Sequence, residues 1–388
     1  MKIGKWTWLL SASVLLTGCG NFWQAPSGSG SGGSSSTLPS GVFYVADQAT
    51  GEIAGYSIVS GVLTKVSGSP YTLGSAPAAI AVAPGGTFLY VGTADGIFLY
   101  TIASGGGLTV ANSGAAISSD VATTMQVVSA TSGTWLVEAG PNAADVLAIP
   151  IDSSTGLPAS KTEQTAVLPA ITVYQLAVSP DDSNVFVADG SSGTEQVAFN
   201  AASGTPFGTE SNIPVVNSAG AAHSVAVDPT DRVVYIGETA AIAATATDKN
   251  TGGVRVFNYS TMKEVSGSPY ASQGLAPYAI LPLSDGDYVY AANRTVSGSS
   301  DGNVAGFAVT VSGSTYSLTA VSSAAAGIET VGLAADPDGN YLLAVDFGGS
   351  PDLEAYTFDS TTAGELDSAL TGATGTDPAE ATAIAAVQ

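Results

Sequence analysis

Read from its repeats, the chain is all-β. Seven short apolar strands recur along it, their third positions at residues 45, 91, 137, 187, 236, 291 and 344, with gaps of 46 to 55 residues. Residues 66–71 (Val-Ser-Gly-Ser-Pro-Tyr) return unchanged at 265–270, an offset of 199 residues or four such units. The stretch 378–387 copies the pattern of 77–82, a strand type missing in front of Phe43. These observations predict a seven-bladed β-propeller of four-stranded blades over residues 41–388. The C-terminal strand is expected to close it by pairing with the N-terminal blade, covering an edge that would otherwise be open to aggregation.

Each element of the unit has a local reason. An alternating apolar strand (79–83) meets a Pro-Gly-Gly turn, and a second strand follows at Phe88. The turn returns at 179–182, 228–231, 284–287 and 336–339, mostly with Asp, Pro or Gly at its corners. These residues favour hairpin turns, and the ligand spacing of a calcium loop is missing. A third strand shows in residues 253–257, 303–307 and 353–357. Tyr44, Tyr90, Tyr235 and Tyr290 recur at one blade position, which predicts packing between blades rather than a stacking platform. No helix of useful length is expected.

The chain start differs from this pattern. Lys2 and Lys5 precede a run of 11 residues, 6–16, that is apolar except for Thr7, Ser11 and Ser13. A bilayer span needs about 20 residues, so this run reads as a signal h-region. It ends in Leu16, Thr17, Gly18 and Cys19, which resembles the bacterial lipobox. The resemblance implies a signal peptide over 1–18 and a diacylglycerol on Cys19. That is the chain's one cysteine, so no disulfide is expected and stability rests on packing. Gly20 in place of an acidic residue implies passage to an outer membrane in such lipoproteins. Residues 19–40 are rich in Ser and Gly and read as a tether of roughly 25 Å for about 20 residues.

The chain of 388 residues is 45% hydrophobic and 11% charged, with a formal net charge of −23. Removing the leader with its two lysines makes that −25. Such a surface repels nucleic acid and anionic headgroups, so a nucleic-acid role is excluded. The expected partners are the membrane, through the lipid, and a small-molecule or protein ligand; the propeller itself is expected to be a monomer. One histidine and one lipidated cysteine cannot build a zinc site of the usual kind, so no metal ligand set is assigned. Calcium on Asp47, Asp189, Glu238 and Asp346 stays open as the one cofactor alternative. No phosphate loop or Gly-x-Ser-x-Gly elbow is present.

In a propeller hairpin the start of the first strand and the end of the second reach the same mouth. That geometry nominates Asp47, Thr93, Ala139, Asp189, Glu238, Asn293 and Asp346 from the second strands. From the first strands it nominates Gln126, Tyr174, Gln175, His223, Tyr278, Glu329 and Glu380, with Arg294 beside Asn293. Carboxylates, tyrosines, an arginine and the chain's one histidine are thus expected together. His223 reads either as a site residue or as a packed, hydrogen-bonded strand histidine.

At these residues the sequence resembles a known family. The turn followed by Tyr-Val is similar to the Tyr-Val-Thr-Asn repeats of cell-surface propellers. The landmarks from His223 onward resemble the seven-bladed lactonase family, which includes 6-phosphogluconolactonase and the muconate-lactonizing enzymes. Residues 222–229, 235–238, 290–294 and 336–343 carry the likeness. It implies that His223, Glu238 and Arg294 sit at conserved mouth positions implicated in lactone chemistry. Arg294 would hold a carboxylate or oxyanion, and Glu238 or His223 a proton. Val173, Tyr174 and Gln175 replace the family's His-Pro-His, and Ala222 replaces the Arg before its histidine, which weakens binding of a phosphorylated lactone. Two functions follow. The leading expectation is an extracytoplasmic, membrane-anchored binding module with little or no catalysis; the alternative is a periplasmic or surface lactonase acting on a small lactone.

Overall fold

A computed structural model describes residues 41–59, 62–130, 133–141, 145–160, 162–168, 172–313, 315–349, 351–371 and 378–387. The expected signal peptide (1–18), Cys19 and the tether (19–40) lie outside these residues. The described chain is a β-propeller built of antiparallel, four-stranded units. Its one helical piece is the three-residue 3-10 turn Asn112–Gly114, and no described helix is long and apolar enough to cross a membrane.

Each unit starts with an inner strand and adds three more outward. Pro77–Val82, Phe88–Thr93, Gly96–Ile102 and Leu108–Val110 form one sheet in that order. Thr124–Ala130, Gln175–Val178 and Ala222–Val227 begin three further sheets of the same plan. In another, Ala381–Ala386 lies beside Val42–Asp47, with Phe43 opposite Ala386 and Val45 opposite Ile384, and Glu52–Val59 and Val62–Lys65 follow.

Five separate sheets of this size stand in place of the expected seven. The other seven strands, from Pro277–Pro282 to Leu366–Thr371, form one continuous sheet. Its cause is the 21-residue strand Thr315–Ala335, which pairs with Asp301–Ser312 through its first part and with Tyr341–Gly348 through its last. Pro77 and Pro277 open their inner strands, where the missing proline N–H is tolerated. Inner strands of successive units pack on one another in chain order. Ala381–Ala386 touches Pro77–Val82, and Thr315–Ala335 in turn touches Ala381–Ala386.

The repeated Val-Ser-Gly-Ser-Pro-Tyr segment is structural. In both copies the outermost strand is split in two, and the segment bridges the halves. Ser69 Oγ accepts from the Gly55 amide at 2.8 Å, and Ser268 Oγ accepts from the Val256 amide at 3.0 Å. A serine thus satisfies the third-strand amide left unpaired at the split. The Asp-rich corners are hairpin turns stapled by their own carboxylates. Asp228 Oδ1 accepts from the Thr230 amide at 2.9 Å, and Asp336 Oδ1 from that of Tyr341 at 2.6 Å.

Tyr44, Tyr90 and Tyr290 are fully buried and tie their own units to the following ones. Their hydroxyls donate to the carbonyls of Gly106 (2.7 Å), Gly156 (2.9 Å) and Gly364 (2.7 Å). Trp135 Nε1 does the same for the Ala201 carbonyl at 2.8 Å. All four acceptors lie in the turn between the third and fourth strands of the following unit. Gly106 and Gly156 have φ of +79° and +72°, and a Cβ would come within 2.9 Å of Val42 and 2.8 Å of Phe88. Only glycine fits both demands. The Tyr235 hydroxyl, at the same strand position, is buried without a partner.

This contrast predicts the outcome of a tyrosine-to-phenylalanine series. Tyr90→Phe and Tyr290→Phe strand a turn carbonyl and should each lose about 1–2 kcal/mol in urea unfolding. Tyr235→Phe removes a buried hydroxyl with no partner and should be neutral or stabilising. Equal losses in all three would show that the turn bonds carry no stability.

Candidate functional site

Five inner strands carry one residue more than their partners. In Ala222–Val227, Ala222 faces Glu238 and Ser224 faces Gly237, so His223 is the extra residue. The same slip singles out Ala78, Tyr278, Val331 and Thr382. A bulge bends the strand and re-aims one side chain. All five extra residues line one cavity of about 450 Å³ enclosed by the inner strands. Its size is that of a small-molecule site.

The cavity has two unlike arcs. Consecutive units contribute Tyr174, Gln175, His223, Tyr278 and Arg294 to one. Units beginning at Thr315–Ala335, Ala381–Ala386 and Pro77–Val82 contribute Val331, Phe347, Ile384 and Ala78 to the other.

On the polar arc His223 sits between two tyrosines. Its ring centroid is 4.3 Å from that of Tyr174 and 4.5 Å from that of Tyr278. Nδ1 is buried without a hydrogen-bond partner, and the residue lines the cavity. Burial, and then the neighbouring Arg294 charge, hold the imidazole pKa down at about 4. At neutral pH the ring is therefore uncharged and able to accept a proton. Arg294 lies over the Tyr278 ring, its Cζ 4.9 Å from the centroid, and Nη1 donates to the Tyr278 hydroxyl at 2.9 Å. Its Nε donates to Glu329 at 3.2 Å, and Nη2 bonds the same carboxylate oxygen. The Arg294 side chain keeps 32% of its surface exposed.

Hydrogen bonds lace neighbouring inner strands and hold the arc still. Gln175 Oε1 accepts from the Val225 amide at 3.1 Å, and Gln126 Oε1 from the Val178 amide at 2.9 Å. Ser224 Oγ donates to the Pro277 carbonyl at 2.7 Å. Gln175 thus has a structural task besides lining the cavity.

The second-strand ends are a correction to the expected mouth. Asp47, Asp189, Glu238, Asn293 and Asp346 are all buried, and none lines the cavity. Each lies one strand out from the inner wall. Three of them clasp the segment that crosses into the inner strand. Asp189 accepts from the Thr172 amide at 3.2 Å and Glu238 from that of Val216 at 2.9 Å. Asn293 Oδ1 accepts from the Ser272 hydroxyl at 2.6 Å and its Nδ2 donates to the Ser272 carbonyl. Asp47 accepts from the Thr50 amide at 3.2 Å. Glu238 also takes a 2.7 Å bond from Arg255, which in turn pairs with Glu264. Glu238 is thus committed to a buried ion pair away from His223 and Arg294. The four carboxylates named for calcium sit on four different units. Among the described residues no group of three or more His, Cys, Asp or Glu converges to hold a metal.

Apolar residues of the cavity were not expected as site residues. Val331 and Ala78 share the bulge with His223, a signal that no residue type announces. Only the register of the neighbouring strand reveals that Val331 and Thr382 occupy the position of His223.

Chain-wide comparison agrees with the fold. A putative 6-phosphogluconolactonase from Bacteroides uniformis superposes with a TM-score of 0.67 at 15% identity, covering 90% of this chain and 100% of that one. The Pseudomonas aeruginosa periplasmic gluconolactonase gives 0.68 at 16%, covering 90% and 99%. A putative 6-phosphogluconolactonase from Bacteroides fragilis gives 0.67 at 15%, covering 92% and 100%. No family model matches the sequence, and no curated protein does. At these identities the likeness is one of fold.

The polar strand ends predict how stability depends on pH. Glu138, next to Ala139, is 1% exposed and its Oε2 has no partner. Burial, then the charges of Asp120, Glu163 and Asp145, push its carboxyl up to about 8. Burial likewise lifts Asp346 to about 7 and Asp189 to about 6. The folded chain holds these protons more tightly than the unfolded one, so the penalty sets in as pH rises through the ordinary carboxyl range, from about pH 4, and is complete above about pH 8. Glu138→Gln should therefore raise unfolding free energy by about 2 kcal/mol or more at pH 8 and leave it nearly unchanged at pH 4.5. An equal change at both pH values in urea melts would contradict this.

Proposed function

We propose that the chain is a lactonase-like carboxylic-ester hydrolase whose site is the cavity of His223, Arg294 and Tyr278. The observation that carries the reading is an uncharged imidazole, held between two tyrosines, next to an arginine and a phenol in a cavity of small-molecule size. Lactone opening needs those parts. Water attacks the ring carbonyl as His223 Nε2 takes its proton, and the carbonyl π electrons move onto oxygen. The oxyanion forms facing Arg294 and the Tyr278 hydroxyl, which supply charge-assisted donors. As the tetrahedral centre collapses, the ring C–O bond breaks and the imidazolium returns the proton to the leaving alkoxide. Lactone and water leave as one hydroxy acid. Tyr174 and Gln175 position the imidazole and the strand behind it.

A binding module with no catalysis, the leading expectation from the sequence, needs none of this alignment. A neutral imidazole sharing one cavity wall with an arginine and a phenol favours hydrolysis. We further read the seven-stranded sheet as two blades sharing Thr315–Ala335, in a ring of seven closed by Ala381–Ala386. Supporting this are seven inner strands that pack on one another in sequence order and all contribute to one cavity. We place the protein outside the cytoplasm on a lipid anchor at Cys19, on the strength of residues 16–19 and the periplasmic location in the name of one structural neighbour.

Two experiments test these readings. Mature protein should hydrolyse δ-valerolactone or glucono-δ-lactone in a pH-stat assay. His223→Ala should lower kcat by about 10²–10³ and Arg294→Ala by a similar factor. The acid limb of kcat/KM should fall near pH 4, not near 6.5, because only the protonated ring is inactive. Absence of turnover, or turnover unchanged in both variants, would reject the enzyme. For the anchor, azido-palmitate labelling in cells should mark the wild type and disappear in Cys19→Ser; labelling of the variant would reject it.

A further inference from the structure

Resting on that hydrolase reading, the two arcs of the cavity define a substrate class. We infer that the site selects uncharged lactones bearing an apolar arm, with the carbonyl on the His223–Arg294 arc and the arm on the Val331, Phe347 and Ile384 arc.

Three observations carry this. First, Arg294 is the cavity's one cationic lining residue among those described, and Glu329 already pairs with it through two nitrogens. A phosphorylated substrate would find no free countercharge there, and the chain's net charge of −23 opposes its approach. Second, the wall facing the imidazole is apolar through three consecutive units, with Val331 and Ala78 at the bulged positions that carry His223 and Tyr278 elsewhere. A polyhydroxylated ring would lose its water against that wall without gaining partners. Third, the one polar side chain among the bulged residues there, Thr382, is turned to backbone. Its hydroxyl donates to the Pro77 carbonyl at 3.2 Å and approaches that of Ala46 at 3.4 Å. The bulges therefore present methyl and methylene groups on one side and donors on the other. An alkyl chain is what such a wall recognises, at roughly a factor of a few in affinity for each methylene buried.

The test compares kcat/KM for δ-decalactone, glucono-δ-lactone and 6-phosphoglucono-δ-lactone at one ionic strength. δ-Decalactone should exceed glucono-δ-lactone by about tenfold or more and the phosphorylated ring by about a hundredfold. Val331→Thr, close in volume, and the smaller, more polar Ile384→Thr should each cut kcat/KM for δ-decalactone about five- to tenfold more than for δ-valerolactone. Glu329→Gln should narrow the gap to the phosphorylated lactone by freeing the Arg294 charge. A preference for glucono-δ-lactone, or variants that slow both alkyl-armed and armless lactones equally, would overturn the inference. If wild-type protein hydrolyses no lactone, the hydrolase reading fails, and calorimetry with the non-hydrolysable lactam of δ-decalactone decides selectivity alone. Binding weakened in Val331→Thr then supports it; no binding, or equal binding of δ-valerolactam, rejects it.

Discussion

Four units of this fold are held to the next by an aromatic side chain on the second strand that donates a hydrogen bond into the following unit's outer turn. Tyr44, Tyr90, Trp135 and Tyr290 all do so, from full burial, over sequence separations of 62 to 74 residues. The aromatic body supplies apolar contact and the polar tip supplies direction, which non-directional burial cannot. Because each bond reaches a turn with a left-handed glycine or an adjacent carbonyl, it fixes both the distance and the angle between sheets. Everything nearer the inner strands depends on that angle. Where the aromatic is Phe186, Tyr259 of the following unit packs against it instead, with ring centroids 6.4 Å apart.

With the sheets locked on the outside, the inner strands meet at close quarters and exchange backbone bonds through side chains. Gln126, Gln175, Ser224 and Thr382 each reach an amide or carbonyl of the next inner strand. These contacts leave little freedom at the axis, so the bulged residues are presented from a rigid frame. That matters for the proposed hydrolysis, since a base and an oxyanion donor lose effect when their mutual position drifts by about 1 Å. His223 and Tyr278 are held by strands that are themselves stitched together.

Much of this is legible in the sequence, for particular reasons. Tyr44, Tyr90, Tyr235 and Tyr290 stand out because they recur at the unit period, and recurrence at one position signals a contact every unit must make. His223, Tyr174, Gln175, Tyr278 and Arg294 are reachable by counting to the start of a strand or the end of its partner. Counting fails for Glu238, Asp189 and Asn293. Whether a strand-end carboxylate meets water or a crossing segment depends on how residues 172, 216 and 272 fold over it, and those amides carry no residue-type signal. It fails again at Val331 and Thr382, whose bulges are set by the pairing register. The continuous pairing through 315–335 carries no residue-type signal either, since the link 111–123 also lacks proline and yet divides two sheets.

The three arginines condense the logic of the molecule. Arg232 is spent on Asp228, bonding both carboxylate oxygens and the Gly286 carbonyl of the next sheet. Arg255 is spent on Glu238 and Glu264, with 7% of its side chain exposed. In both cases a buried carboxylate requires the cation, and removing either partner would leave a charge in an apolar setting. Arg294 differs in kind. Its carboxylate partner Glu329 is itself 34% exposed, so no desolvated charge needs the guanidinium. Arg294 is thus the one of the three that no buried carboxylate holds in place, and it lies at a cavity wall, stacked on a tyrosine beside the lone histidine. On the proposed hydrolase reading the arrangement is preorganisation for a developing negative charge, which an already paired arginine can stabilise without first attracting a full anion.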